Sequence, residues 1–593
     1  MSKSVWKLLL ADLSYERRSP SALAAPMAIA GLATYVNKTL GEHIHVQIVK
    51  TIQAFQNAIQ SEKFKVAGFS HYVWNANLSI AAANELREAN PNCVIVFGGP
   101  HLPIHQASQE AYLRKLDFID FFIEKEGERA FSALLGALEC ANFDAEEVKA
   151  NSKELQSVRT IHNGMFISAP LANRLRNLDD IPSPYLAGIM DDFIKEGFSP
   201  MIENNRGCPF KCSFCGEGDR YHSLVAHHST GFLTAEYEYC ARLMKRVASH
   251  PFPDMLYFSD SNTGMYSQDQ DLCKALRGIQ DSYGWPQRIS TSTGKNAKEK
   301  IISCVELLNG AMTLTASVQS TDPEVLKIIQ RDNISLDVIK ESSKASGSRS
   351  YSEIILGLPG DTYEKHLRSI QDMIELRIDE LAIIQLMILP DTPMFDPAYR
   401  QRYSLDVRYR LLVKGFCRLK DRGGEKTIIE HELVCVGTSG MSFGDYQRAR
   451  VVGLLISIYY NNRFKHDDFE YFKALGISPF DYLNALIDLP KSRHLGNVID
   501  RFIAHLSEEL FDSLDNLEEF VSRPDTYDRL LSGEIGVSLI YHYSKEALLE
   551  PMELFDFGME AARKIGGNEL SSHLASSALR EFSSADRRSL QPH

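Results

Sequence analysis

The stretch NNRGCPFKCSFCGEG, residues 204–218, carries Cys208, Cys212 and Cys215 within eight residues, while the other seven of the chain's ten cysteines stand singly. Three thiols in the spacing CxxxCxxC admit three kinds of chemistry. Structural zinc takes four protein ligands, commonly two CxxC pairs, and the sequence has no second pair. A redox dithiol needs only the CxxC and leaves Cys208 without a task. Three thiolates on a tight loop can instead hold three irons of a [4Fe-4S] cluster and leave the fourth iron open to an exogenous ligand. The spacing favours the cluster, with zinc and an accident of sequence as the alternatives.

The elements that must position such a loop are legible on both sides of it. From residue 198 to about 400, six apolar runs alternate with mostly helical stretches: SPMIENNRG, MLYFSDSN, RISTSTG, AMTLTASVQS, YSEIILGLPG and LAIIQLMILP. Six βα units predict an incomplete parallel barrel, with its chemistry at the carboxyl ends of the strands. The cysteines directly follow the first of these strands. Ahead of them, residues 1 to about 140 alternate VWKLLLADL, IHVQIVK, KVAGFSHY, CVIVFGG and FIDFFIEKEG with helical patterns. This is the pattern of a doubly wound parallel sheet, in which ligands sit beyond the strand ends. The informative positions are therefore Asp12 to Tyr15, Ser70 to Asn75, Gly98 to His101 and Glu126 to Glu128. Residues 141–195 form a connector with a small hairpin expected at IHNGMFI, where Asn163 and Gly164 supply the turn. Residues 401–440 are expected to extend the barrel. Residues 441–593 are expected to be helical, with the polar last twenty fraying. The amphipathic pattern at 497–511 reads as packing surface.

Composition narrows the class. With 44% hydrophobic and 24% charged residues the chain can build ordinary cores, and its net charge of −13 gives no footprint for nucleic acid. The longest nearly apolar run, VVGLLISIYY at 451–460, falls short of the roughly 20 residues of a membrane helix. No signal-like segment opens the sequence, so a cytoplasmic protein with reduced thiols is expected.

The cysteine motif, with Phe214 at the aromatic position, resembles that of the radical S-adenosylmethionine (SAM) superfamily. VAGFSHYVWN, VIVFGGPH and EKEGERAFSALL resemble the cobalamin-binding domain fused to one branch of that superfamily. The likeness runs from about residue 5 to about 440. It implies an N-terminal Rossmann-like cobalamin-binding domain over 1–140, a partial (β/α)6 radical SAM barrel over 196–400, its extension over 401–440 and a helical C-terminal region. It also implies that Cys208, Cys212 and Cys215 hold the cluster and that SAM chelates the open iron. Asp260, Ser261 and Asn262 stand where the family contacts the SAM amino group. Ser317 and Gln319 stand near its ribose and carboxylate contacts. Gly357 and Gly360, in ILGLPGDT at 355–362, fall in the adenine-side motif. Ser70, Tyr72, Trp74, Gly98, Gly99 and Glu126 fall at the expected cobalamin contacts.

One departure stands out. Methionine-synthase-type domains place a cobalt-ligating His after strand one, and the corresponding DLSYER segment has Ser14 there. The resemblance therefore implies base-off cobalamin, with Tyr72 or Trp74 shielding its lower face and His71 not ligating. The implied reaction is radical methylation of an unactivated carbon of a small-molecule or peptide substrate, using two SAM molecules per turnover and a flavodoxin- or ferredoxin-type reductant. Rearrangement, ring formation or oxidation without methyl transfer is the alternative.

Overall fold

The computed structural model describes residues 5–15, 23–247, 249–294, 296, 298–312, 314, 315, 317–333, 350–421 and 424–583. Strand β1 (Trp6–Ser14) reads WKLLLADLS, and its run of apolar residues is buried on both faces, as a central parallel strand requires. It lies between β2 (Ile44–Thr51) and β3 (Val66–Ser70), which is followed by β4 (Val94–Gly98) and β5 (Phe121–Ile123). These five strands pair in parallel in the order 2-1-3-4-5. The helices Met27–Leu40 and Gly127–Cys140 bring one core layer against the sheet, and Ile52–Ser61 and Ala76–Ala89 bring another.

The expected connector hairpin is present as β6 (Val158–His162) and β7 (Met165–Ser168). Asn163 and Gly164 turn it with φ of 49° and 74°, the left-handed pair that suits a two-residue turn. It does not stand alone, however: β6 pairs antiparallel with β5, so the first sheet has seven strands and runs beyond residue 140.

In the second zone all six expected runs form strands: β8 (Met201–Ile202), then, after the short antiparallel pair β9 (Asn205–Arg206) and β10 (Ala226–His227), β11 (Met255–Phe258), β12 (Arg288–Ser290), β13 (Leu314–Thr315), β14 (Ser350–Leu356) and β15 (Glu380–Gln385). They form two parallel three-stranded sheets, ordered β12-β11-β8 and β13-β14-β15. A parallel bridge between Ile289 and Met312 joins the two into an open half-barrel.

The segment expected to extend the barrel is a long antiparallel hairpin, β16 (Asp406–Asp421) and β17 (Gly424–Gly437). Part of β17 continues the barrel edge, through Ile388 N–H to Leu433 O at 2.7 Å and Cys435 N–H to Leu386 O at 2.9 Å. The other end leaves the barrel: Leu419 and Ile428 are buried in the core beneath the first sheet. There Glu430 accepts the Tyr15 hydroxyl at 2.7 Å and the N–H groups of Asn77 and Leu78 at 3.0 and 2.9 Å. The helix Ala76–Ala89 has no side-chain cap from its own N-cap residue, so Glu430 satisfies these first-turn donors from across the molecule.

Beyond residue 441 the chain is helical, beginning with Phe443–Tyr459, which is capped by Ser442 and packs against the helix Tyr363–Glu375. One short strand, β18 (Leu510–Phe511), interrupts the expected all-helical region by pairing with β16 at Tyr409 and Arg410. The expected fraying is not seen up to Ser583, since helices occupy Pro551–Ser576 and Arg580–Ser583; residues 584–593 lie outside the described residues. Among the described residues no helix is long and apolar enough to cross a membrane.

Candidate active site

The strand ends of the first sheet and the cysteine loop face one another across a cavity of about 750 Å³. Asp12, Ser70, Gly98 and Gly99 line one side, and Cys215, Gly216, Glu217 and Asp391 line the other.

On the first-sheet side the apolar strands end in a small polar relay. Lys50 is buried at the end of β2 and pairs with Asp12 at 3.1 Å, and the Ser70 hydroxyl donates to the other Asp12 oxygen at 2.5 Å. Lys50, a lysine closing the apolar run IHVQIVK, was the unread sequence signal for this relay. Gly99 has φ of 135°, and a Cβ there would lie 2.5 Å from the His71 carbonyl oxygen, so only glycine closes this turn. Gly99→Ala is expected to destabilise the fold by about 2 kcal/mol, a typical cost of backbone strain, and to lower the denaturation midpoint accordingly. An unchanged midpoint would show that the turn relaxes freely.

Tyr72 and Trp74 both line the cavity and stack on each other, with ring centroids 4.4 Å apart and planes at 11°. They form a flat aromatic slab just beyond the end of β3. His71 points elsewhere. It is fully buried, its Nε2 lies 2.6 Å from the Tyr112 hydroxyl, and its ring packs edge-on against His101. Burial and the neighbouring His101 push its pKa well below the usual range, which keeps the ring neutral. Glu126 reaches the cavity wall, but both carboxylate oxygens are taken, by Arg174 Nε at 2.7 Å and Leu175 N–H at 2.9 Å.

The cysteine loop is wound tightly. Cys208 N–H donates to His222 O at 2.9 Å, and Cys215 N–H donates to Cys212 O at 3.1 Å. Gly207, with φ of 111°, leaves no room for a side chain, since a Cβ would sit 2.6 Å from Leu224 O. Arg206, two residues before Cys208, makes two 2.8 Å hydrogen bonds to Glu203 and reaches Glu128 at 2.9 Å. This ties the loop to the helix Gly127–Cys140 of the first sheet.

Cys208 and Cys212 are buried, and Cys215 is partly exposed on the cavity wall. Asn262 Nδ2 donates to Cys208 Sγ at 3.3 Å, and Arg331 Nη1 approaches Cys212 Sγ at 3.8 Å. Among the described residues no three His, Cys, Asp or Glu side chains are already gathered into a metal-binding group. The thiols share a loop, and two of them engage N–H donors rather than a common point. The donor set still suits an iron–sulfur cluster: three thiols, with N–H groups and a guanidinium placed to stabilise thiolate charge. Phe214 packs in the cluster of Leu358 and Met394, with the Arg331 guanidinium 6.0 Å from its ring centroid.

The remaining expected SAM contacts are placed as follows. Asp260 turns inward, accepting from the backbone and side-chain N–H groups of Asn204 and Asn205 at 2.8 to 3.3 Å. Burial pushes its pKa up to about 7, against these donors. It clamps the turn ahead of the cysteines and does not line the cavity. Ser261 instead donates to Glu217, which does line it. Ser317 donates to Glu353 at 2.9 Å, and Gln319 pairs its backbone with β14. Neither faces the cavity, and residues 334–349 lie outside the described residues. The close backbone approach at Gly357 is made to the hairpin, because a Cβ there would lie 3.1 Å from Cys435 O. Gly360 likewise makes room for the Ile328 side chain.

Sequence reasoning missed Asp391, whose carboxyl is pushed up to about 6 by burial and which packs directly against Gly216 on the cavity wall. It follows a Pro in ILPDT and carries no motif signal.

Residues 203–373 match the Radical SAM superfamily. The cobalamin-dependent radical SAM methyltransferase TokK of Streptomyces tokunonensis is 31% identical over 353 residues, which is 57% of this chain and 49% of that protein. The 2-(S-pantetheinyl)-carbapenam-3-carboxylate methyltransferase of Streptantibioticus cattleyicolor is 29% identical over a stretch of the same length and shares. The chain thus spans about half the length of these curated relatives. The solved structure of OxsB, a cobalamin-dependent S-adenosylmethionine radical enzyme, superposes with a TM-score of 0.54 at 14% identity, covering 98% of this chain and 84% of that one, and shows a shared fold. The matched segment runs from the strand end just ahead of Cys208 to the helix that follows β14, so the cysteine loop and most of the half-barrel are what resemble the radical SAM superfamily.

Proposed function

We propose that this protein is a cobalamin-dependent radical SAM methyltransferase acting on an unactivated carbon of a small-molecule or peptide substrate. The observation that carries the reading is the shared cavity: first-sheet strand ends and the cysteine loop form opposite walls of one chamber. Two cofactors that must meet one substrate carbon need such a chamber. The two related methyltransferases support methyl transfer, and the carbapenam named for one of them supports a small specialised metabolite as the substrate class.

In this reading, Cys208, Cys212 and Cys215 hold the [4Fe-4S] cluster, and the strand ends of the parallel first sheet receive cobalamin. When bound, the cluster supplies the electron that cleaves SAM and cobalamin supplies a transferable methyl group. The chain's own residues bind, orient and screen. Gly98 and Gly99 let a flat ligand approach the strand ends, and the Tyr72–Trp74 slab covers its lower face. Apolar lining residues such as Phe69, Phe97 and Leu389 exclude water from the reacting centre. An external flavodoxin- or ferredoxin-type reductant completes the system.

Anaerobic titration with hydroxocobalamin tests the assignment. Saturable binding with a base-off spectrum is expected, and His71→Ala is expected to leave that spectrum unchanged, because His71 is turned away from the cavity. No binding by the wild-type protein would overturn the reading. A histidine-ligated spectrum lost in His71→Ala would overturn the placement of that residue.

A further inference from the structure

Part of the cavity lining comes from the helix Thr230–Arg246, through Phe232 and Glu236, and from the turn Ile181–Pro184 with the start of the helix Met27–Leu40. Glu236 is the feature that apolar packing does not explain. It is 1% exposed, yet it lines the cavity, and its Oε2 has no hydrogen-bond partner.

The other oxygen is accounted for. Ser183 Oγ accepts the Leu186 N–H at 3.0 Å, so its own proton is free to donate to Glu236 Oε1, 2.5 Å away. Among the described residues no Lys or Arg pairs with Glu236. Burial pushes its pKa up to about 7; the Ser183 hydrogen bond opposes the rise, and the Glu203 and Asp179 carboxylates add to it. A carboxyl group in this setting is best satisfied as the neutral acid, whose Oε2 hydroxyl is then a buried donor lacking an acceptor. Leaving such a group unmet costs about 1 to 3 kcal/mol, which a matching ligand group relieves.

Gly31, Leu32, the Glu126–Glu128 loop and the first-sheet strand ends line the same cavity, so Glu236 shares a chamber with whatever lies over those strand ends. A corrinoid is a plate rimmed with primary amides. A carboxylic acid and a primary amide are complementary, each offering one donor and one acceptor.

We propose that Glu236 is a cobalamin-binding residue whose free carboxyl oxygen hydrogen-bonds a peripheral primary amide of the corrin. This rests on the cobalamin reading above. Glu236 recognises the rim of the plate, while Gly98, Gly99 and the aromatic slab receive its face.

Hydroxocobalamin titration of the full-length, cluster-loaded protein tests this. Glu236→Leu keeps the volume and removes both hydrogen-bonding atoms, and Glu236→Gln keeps a donor and an acceptor. The dissociation constant is expected to rise about five- to tenfold in Glu236→Leu, the worth of one hydrogen bond, and to stay within about twofold of wild type in Glu236→Gln. Iron content and denaturation midpoint, measured on the same samples, separate this from a folding defect. An unchanged dissociation constant in Glu236→Leu, with wild-type protein still binding, would overturn the assignment of Glu236 alone. Equal loss in both variants with folding intact would show that a carboxylate charge is required and would overturn the neutral-amide pairing. Failure of the wild-type protein to bind would instead sink the cobalamin reading itself.

Discussion

Alanine at Cys208, Cys212 or Cys215 is expected to take anaerobically reconstituted protein from about four irons and four sulfides per chain to background, with loss of the broad absorbance near ~400 nm. Reductive cleavage of SAM should vanish with it, because in the proposed reading each thiolate holds one iron and the loop carries no fourth cysteine to replace a lost one. The other seven cysteines provide the internal control. Cys93, Cys240, Cys273, Cys304 and Cys435 are buried, so alanine at any of them should cost about 1 kcal/mol of stability while leaving the iron content intact. Cys140 and Cys417, which are not buried, should be cheaper still to replace. Stoichiometric zinc without iron in the wild-type protein would refute the cluster assignment.

The second large effect is a stoichiometry. If both cofactors serve one methylation, substrate-dependent turnover should yield 5′-deoxyadenosine and S-adenosylhomocysteine in a ratio near one, since one SAM is cleaved for hydrogen abstraction and the other surrenders its methyl group. Methyl label from SAM should appear on an sp3 carbon of the product, and deuterium from that carbon should appear in deoxyadenosine. Chromatography with mass detection reads both. Deoxyadenosine with no S-adenosylhomocysteine and no labelled product would establish rearrangement, ring formation or oxidation in place of methylation. S-adenosylhomocysteine alone would establish a polar methyl transfer.

What could be read along the chain was local. CxxxCxxC is an eight-residue signal, and each of the six barrel strands is an apolar run bounded by turn residues, so loop and strands alike fall where the spacing placed them. The Asn163–Gly164 turn was legible for the same reason, but its joining of the first sheet was not, because edge pairing depends on which strand lies exposed beside it. Orientation at strand ends was equally hidden. Nothing in SDSN says that Asp260 turns inward to clamp two asparagines while Ser261 meets Glu217. Glu236 lies on the buried stripe of its helix, and nothing local says that Ser183, far away in sequence, meets its carboxylate. The hairpin's double allegiance was the hardest to see, since β17 pairs with the barrel edge at Cys435 and packs beneath the first sheet at Ile428 within a single strand.

The bond from Tyr15 to Glu430 spans 415 positions of chain. On the ribosome, the first sheet is synthesised hundreds of residues before the carboxylate that satisfies the opening turn of its helix Ala76–Ala89. Throughout that interval Asn77 and Leu78 must give their N–H groups to water, and the apolar surface that later receives Leu419 and Ile428 stays bare. Completion of the first sheet is thus postponed until the half-barrel has been made, which marks the nascent N-terminal segment as a chaperone client and a poor candidate for isolated expression. The same delay is protective: a chain that ends before residue 430 never seals the sheet that faces the cysteine loop.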